Sequence, residues 1–214
     1  MTESEERLQN LTYALSIGDP ELTRQKTNAA LAKVTANEVL DAVVEGVNIL
    51  LDLNEVGGVE QTRLTSAEGA MHSCLEVLEP TISASEGKFD FTATVGPVGI
   101  EWGHLLCMSL AALLRSVGLH ASTLKTKTAL ELLRNSEELS ADIVLALLPK
   151  ENLDDQLSTL NEEAERGGFT NKFHIIPVTR GQSENTVSPF PIAKNVDEAV
   201  SKALEWAIKN SVTD

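Results

Sequence analysis

Apolar residues recur at helical spacing through the first 84 residues. Val39, Leu40, Val43, Val44, Val47, Leu50 and Leu51 form one stripe, and Met71, Cys74, Leu75 and Leu78 form another. Start signals stand ahead of these stripes. Thr2 to Glu5 and Thr35 to Glu38 read as capping boxes, and Asp19-Pro20 supplies an N-cap followed by a proline at the first helical position. The pattern predicts four short helices around one core, with Gly57-Gly58 and Thr65-Ser66 marking the break before the fourth. After Pro80 and the polar link Ser83 to Lys88, strand and helix patterns alternate. Strands are expected over 89–95, 120–124, 141–148 and 173–178, and helices over 102–116, 128–135, 153–166 and 196–209, the first of these stopped by Gly118. Such alternation over short spans implies α/β architecture with a parallel sheet. The division expected is a helical bundle over 1–84 and a Rossmann-like domain over 85–214. A ligand of such a sheet sits at the strand ends, here near 96–103, 149–152 and 179–186.

Composition narrows the class. With 214 residues and an apolar fraction of 42%, the chain is of ordinary globular make-up. No window approaches the ~20 unbroken apolar residues of a membrane-spanning helix, and the first residues are acidic where a signal peptide is basic. No membrane association and a cytoplasmic location are therefore expected. Two cysteines, Cys74 and Cys107, lack metal-ligand or redox spacing and read as buried free thiols. The formal net charge of −15 is spread along the chain and disfavours nucleic acid as a partner, because a polyanion demands a basic surface. Solvated acidic faces, or one acidic face that docks a basic protein, are the two readings of that charge.

Chemistry concentrates between the first predicted strand and the helix after it. Gly96-Pro-Val-Gly-Ile-Glu-Trp-Gly103 is a glycine-rich turn that holds no Lys, Arg, Ser, Thr, Asp or His. Phosphate binding or proton transfer there falls to backbone groups, among them the helix N-terminus near Trp102, and to Glu101. The spacing of Gly96, Gly99 and Gly103 is not the dinucleotide G-x-G-x-x-G fingerprint, so tight turning and close backbone approach explain the glycines better. Trp102 either seals a gap or stacks on a planar ligand. His104 and Cys107 share a helical face, whereas His72 and Cys74 point to different sides of theirs; packing explains these residues better than a metal site. His120 and His174 open strands and read as exposed caps. No nucleophile–base pairing or carboxylate pair emerges from spacing, so no catalytic residue and no metal ligand is assigned.

Several stretches together resemble a known family. Asn54-Glu-Val-Gly-Gly-Val-Glu-Gln-Thr-Arg-Leu64, Ala67-Glu-Gly-Ala-Met71 and Leu75-Glu-Val-Leu-Glu-Pro80 lie in the helical half. Thr94-Val-Gly, Gly103 with its long helix, Ser116-Val-Gly-Leu-His-Ala and Ser140-Ala-Asp-Ile-Val144 lie in the second. Over nearly the whole chain this resembles the corrinoid proteins of methyltransferase systems, the B12-carrying subunits to which the cobalamin module of methionine synthase is related. The resemblance implies a helical cap joined to a five-stranded Rossmann-like module of the flavodoxin-like, cobalamin-binding type. It also implies an Asp-x-His-x-x-Gly motif whose His ligates cobalt and whose Asp tunes that His. Here the motif falls on Val98, Gly99, Ile100, Glu101, Trp102 and Gly103, so only its glycine is kept. The Ser and Gly-Gly elements that line the nucleotide tail in the family have no counterpart around Leu147 and Pro149 or around Val178 and Thr179. The aromatic residues of the cap give way to Val59-Glu60-Gln61.

These ten residues, Val98 to Gly103 with Leu147, Pro149, Val178 and Thr179, are the candidate cofactor-binding set. The leading expectation is a non-catalytic binding, adaptor or sensory protein on a degenerate corrinoid-protein scaffold, with no cofactor. The alternative is a corrinoid methyl carrier that binds cobalamin without His ligation, working beside a methyltransferase. A third reading places another planar or nucleotide-like ligand against Trp102. A protein partner, either a methyltransferase or a regulatory protein, is expected in the first two, and a homodimer is left open.

Overall fold

The computed structural model describes residues 2–180 and 188–211, and these form two compact units, Met1–Ser85 and Glu86–Asp214.

In the first unit, among the described residues, four helices pack together: α1 (Glu3–Ile17), α2 (Pro20–Leu31), α3 (Ala36–Glu55) and α4 (Gln61–Ser83). Three of them start as the sequence predicts. Thr2 and Thr35 form complete capping boxes with Glu5 and Glu38, and Asp19 accepts from the Leu22 amide ahead of Pro20. Leu11, Leu40, Val43, Leu50, Met71 and Leu78 fill the space between the helices. The expected break at Thr65-Ser66 does not occur. Those residues lie within α4, where the Thr65 hydroxyl donates to the Gln61 carbonyl 3.2 Å away. Pro80 does not end α4 either. It deprives the Glu76 carbonyl of its helical donor, but both residues lie on the solvent-exposed side of the helix, while Leu78 and Ile82 stay buried on the inner face.

The second unit is a parallel sheet of four strands among the described residues, in the order β2-β1-β3-β4: β1 (Thr92–Pro97), β2 (His120–Thr123), β3 (Ile143–Leu147) and β4 (His174–Val178). This is the start of the flavodoxin-like order. Among the described residues, the place of the fifth strand of the resemblance holds one parallel bridge, between Val178 and Ala193. Helices α5 (His104–Ser116) and α8 (Val196–Ser211) pack together, α5 against β1 and β2 and α8 against β4; α6 (Ala129–Glu138) lies on β1 and β3 and contacts α7 (Leu153–Arg166). The central strands are apolar throughout, as burial by helices requires: Ile143 to Leu147 are all buried.

Strand edges differ from expectation by pairing, not propensity. Phe89 to Phe91 precede the ladder because their partners lie elsewhere: the Phe89 amide donates to the Gly118 carbonyl, and the Phe91 carbonyl accepts from His120. β1 in turn runs on through Gly96 and Pro97, opposite Ala146 and Leu147. One polar pair crosses the core, Thr94 Oγ1 to Ser136 Oγ at 2.7 Å, with both residues fully buried.

At the amino end of the sheet, the His174 ring stacks on Trp206 at 5.4 Å and 13°, and Phe91 meets Trp206 edge-on. His174 is thus part of an aromatic cluster, not the exposed cap the sequence suggests. Burial holds its pKa below the ordinary 6.5. A histidine kept neutral by folding stabilises the native state above its ordinary pKa, and that contribution is lost as pH falls from about 6.5 toward the lowered value. Denaturant midpoints measured between about pH 7 and pH 5 should fall more steeply for the natural chain than for His174→Phe; parallel curves would contradict this.

Candidate functional site

The carboxyl edge of the sheet is organised by the turn that follows β1. Its backbone is tied on both sides: the Val98 amide donates to the Leu147 carbonyl at 2.9 Å, the Gly99 amide to the Lys127 carbonyl at 3.0 Å, and the Thr126 hydroxyl to the Pro97 carbonyl at 2.8 Å. The turn then coils tightly before α5. Gly103 donates to the Ile100 carbonyl, Leu105 to Trp102, and Leu106 and Cys107 to Gly103. These bonds consume the amides that a helix N-terminus would offer to an anion, which removes most of the backbone anion site expected near Trp102.

Two glycines are required by this coil. A Cβ on Gly103 would stand 2.8 Å from the Pro97 Cβ and 3.0 Å from the Ile100 Cβ, and Gly99 sits at φ +70°. Trp102 adopts φ +63°, a left-handed conformation that is a genuine outlier for so bulky a residue. That geometry delays the helix, so α5 begins at His104 and not at Trp102 as the apolar periodicity suggests.

The two faces of the turn differ. Val98, 2% exposed, belongs to the apolar cluster of Leu132, Leu148, Leu157 and Leu160, with Leu153 packed against it. Gln156 lies against Gly99, its Oε1 3.3 Å from where a Cβ would be. The first turns of α7 therefore crowd the point between β1 and β3, where this strand order ordinarily seats a ligand. On the other face, toward the loop after β2, a cavity of about 450 Å³ remains. Pro97, Ile100, Trp102 and His104 give it apolar and aromatic walls, and Glu101, Lys125, Thr126 and Lys127 complete the lining, with Gly99 at its edge.

Trp102 is half-buried in that wall, its ring 5.5 Å from the His104 ring and tilted by 38°. Its indole Nε1 is buried without a hydrogen-bond partner. An unsatisfied buried donor costs about 1–3 kcal/mol.

Of the ten candidate residues, the structure brings Gly99, Ile100, Glu101 and Trp102 to the cavity. Val98 and Gly103 are buried in packing. Leu147 and Val178 are 1% exposed inside the sheet and present no groove. Pro149 is half-buried after β3, and Thr179 is buried with its amide donating to the Ala193 carbonyl. The expected strand-end region 179–186 lies outside the described residues from 181 onward. The sequence reading missed Pro97, His104, Lys125, Thr126 and Lys127. It took the site to be the turn after β1 together with the ends of β3 and β4, whereas β1 also pairs with β2 and so lies beside the basic loop that follows β2.

The cysteines separate from the histidines. Cys107 is fully buried and its thiol is pushed far above the ordinary range, and burial raises Cys74 to about 11, although Thr27 donates to its sulfur. His72 is exposed while Cys74 is buried. Among the described residues, no group of three or more His, Cys, Asp and Glu side chains converges as a ligand set, and no helix is long and apolar enough to cross a membrane.

No family model and no curated protein matches the chain. Solved structures do. The monomethylamine corrinoid protein of Methanosarcina barkeri matches at 18% identity and a TM-score of 0.66, over 94% of this chain and 99% of that one. A cobalamin-binding protein of Desulfitobacterium hafniense matches at 14% identity and 0.47, over 96% and 99%. The methanol:cobalamin methyltransferase complex of Methanosarcina barkeri matches at 15% and 0.46, over 95% and 80%. The first of these shows that the chain has the fold of a corrinoid protein: a helical unit followed by a Rossmann-like parallel sheet.

The packing at Gly103 gives a direct prediction. Gly103→Ala forces a methyl group against two Cβ atoms that are fixed by the backbone, so it should lower stability by about 1–3 kcal/mol. Gly69→Ala, in α4 with its nearest neighbour at 3.4 Å, should be neutral or raise stability by up to about 1 kcal/mol. Urea midpoints of the two variants check both; an unaffected Gly103→Ala would remove the steric account of this glycine.

Proposed function

We propose that the protein is a non-catalytic binding protein, an adaptor or sensor, built on the corrinoid-protein scaffold but not holding cobalt through a histidine. The observation that carries this reading is the pair Val98 and Ile100. An aliphatic side chain has no lone pair for a metal, and Val98 lies in an apolar cluster where a carboxylate would be desolvated and unpaired. The crowding of Gly99 by Gln156, and the burial of Leu147 and Val178 within the sheet, support the same view. The residues present do not fit a corrinoid ligated from below, so no chemical step is derived through one.

A second reading draws on the open cavity beside Ile100 and Trp102. It is a methyl carrier that binds cobalamin with the cofactor's own base or water on cobalt, beside a methyltransferase. In either reading a protein partner is expected, and the net charge of −15 favours a basic surface on it over nucleic acid.

The visible spectrum separates the two. After incubation with hydroxocobalamin and desalting, the protein should be colourless; corrinoid retained at a one-to-one ratio would overturn the leading reading. The double change Val98→Asp with Ile100→His should not restore tight binding, because the new carboxylate enters an apolar core crowded by α7. Circular dichroism shows whether that variant folds. Tight binding by the double variant would mean that the crevice between β1 and β3 still opens.

A further inference from the structure

We propose that the outer face of α3 is a docking surface for a protein partner that presents an amphipathic helix, with aliphatic residues along one stripe and lysines or arginines beside it. This rests on the expectation of a basic protein partner shared by both readings above, and it names the surface and the mode of recognition.

α3 carries apolar residues on two sides, and the helical bundle uses one of them. Val43, Val47, Leu50 and Leu51 are buried, which is the stripe an amphipathic helix needs. Ile49, Leu53 and the C-cap Val56 are spaced four and three residues apart and so share a second face, where they are 40%, 39% and 79% exposed. Among the described residues these are three of the six large hydrophobic side chains left exposed, gathered on one helix face. Single exposed aliphatics need no explanation, but a stripe of them at helical spacing is what an interaction surface presents. Glu45 and Glu38 continue the same face toward the amino end of the helix, and both are exposed. Glu38 takes its hydrogen bonds from the neutral Thr35 amide and hydroxyl, so its charge is not cancelled. α3 holds no lysine or arginine, and with no base in its last turn the negative end of its dipole stands beside Leu53 and Val56. The face therefore joins an aliphatic patch to negative potential, and its complement is a helix laid along it with aliphatic anchors and basic flanks. A second copy does not complement it, because α3 against α3 sets carboxylates against carboxylates.

Fluorescence anisotropy on the full chain tests this with a fluorescein-labelled peptide of leucine and lysine, about 18 residues long, whose leucines share one helical face. It should bind saturably at one site, and a peptide of the same composition in shuffled order should bind weaker by about tenfold or more. Leu53→Ser with Val56→Ser should weaken the amphipathic peptide about tenfold, whereas Leu139→Ser with Ile208→Ser, which removes as many exposed aliphatics elsewhere, should leave it unchanged. Glu45→Lys should weaken it about threefold. Circular dichroism confirms that the variants fold. No saturable binding, equal binding of the shuffled peptide, or equal loss in the two double variants would each overturn the proposal. So would a dimer in sedimentation velocity that Leu53→Ser with Val56→Ser dissolves, since the face would then belong to a second copy. Hydroxocobalamin retention, measured on the same preparation, reports on the reading separately: retained corrinoid overturns the leading reading, whereas colourless protein without binding that depends on this face fails this inference alone.

Discussion

The chain leaving β1 is hydrogen-bonded to both neighbouring strand ends at once, and the candidate site follows from that. Val98 is held to Leu147 on the β3 side, while Gly99 and Pro97 are held through Lys127 and Thr126 on the β2 side. With both flanks pinned, the backbone must reverse within a few residues to start α5. The reversal brings Gly103 against Pro97 and Ile100 and drives Trp102 into a left-handed conformation. A helix begun at Trp102 would be longer, but it must be reached from a backbone fixed by these bonds, and breaking those at the buried Pro97 and Val98 would leave costly unpaired backbone groups.

The pinned turn divides the carboxyl edge into a closed half and an open half. On the closed half, burying a valine contributes about 1.5–3 kcal/mol, and Leu153 and Leu157 of α7 complete the packing around it. That contribution favours an apolar residue at this position as strongly as it disfavours a charged one. The open half has no such filler, because the loop after β2 presents lysines and a threonine whose hydroxyl is committed to Pro97. Glu131 also draws the Lys127 and Thr128 amides onto its carboxylate, which those bonds hold below the usual carboxylate range. The loop is thereby fixed at the start of α6 while its lysines line the cavity. A space expected at the topological switch between β1 and β3 is found one strand over.

Much of the fold is legible locally. Thr2, Asp19, Thr35 and Thr128 cap helices through their own side chains, and this is a property of residues three positions apart. The buried stripes of α3 and α4 and the unbroken apolar run of β3 likewise announce their element type. The failures are at positions where distant packing overrides a local preference. Thr65-Ser66 and Pro80 carry breaking or weak helix propensities, yet Leu64, Ala67, Leu78 and Ile82 bury their side chains against other helices and keep α4 continuous. His174 was legible as a strand opener but not as a stacked ring, since Trp206 lies far along the chain.

The site divides the same way. From the sequence alone come a strand, a glycine-dependent turn and a helix, the aliphatic identity of residues 98 and 100, and a resemblance whose fold the solved monomethylamine corrinoid protein bears out. Those are properties of neighbours along the chain, set by spacing and side-chain chemistry. Only the tertiary structure decided that Val98 faces a filled crevice, that the Trp102 indole is left without an acceptor, and that Lys125 and Lys127 share a cavity with Glu101. Parallel pairing of β1 with β2 joins two loops more than twenty residues apart in sequence, and no local pattern encodes which loops a sheet will place side by side.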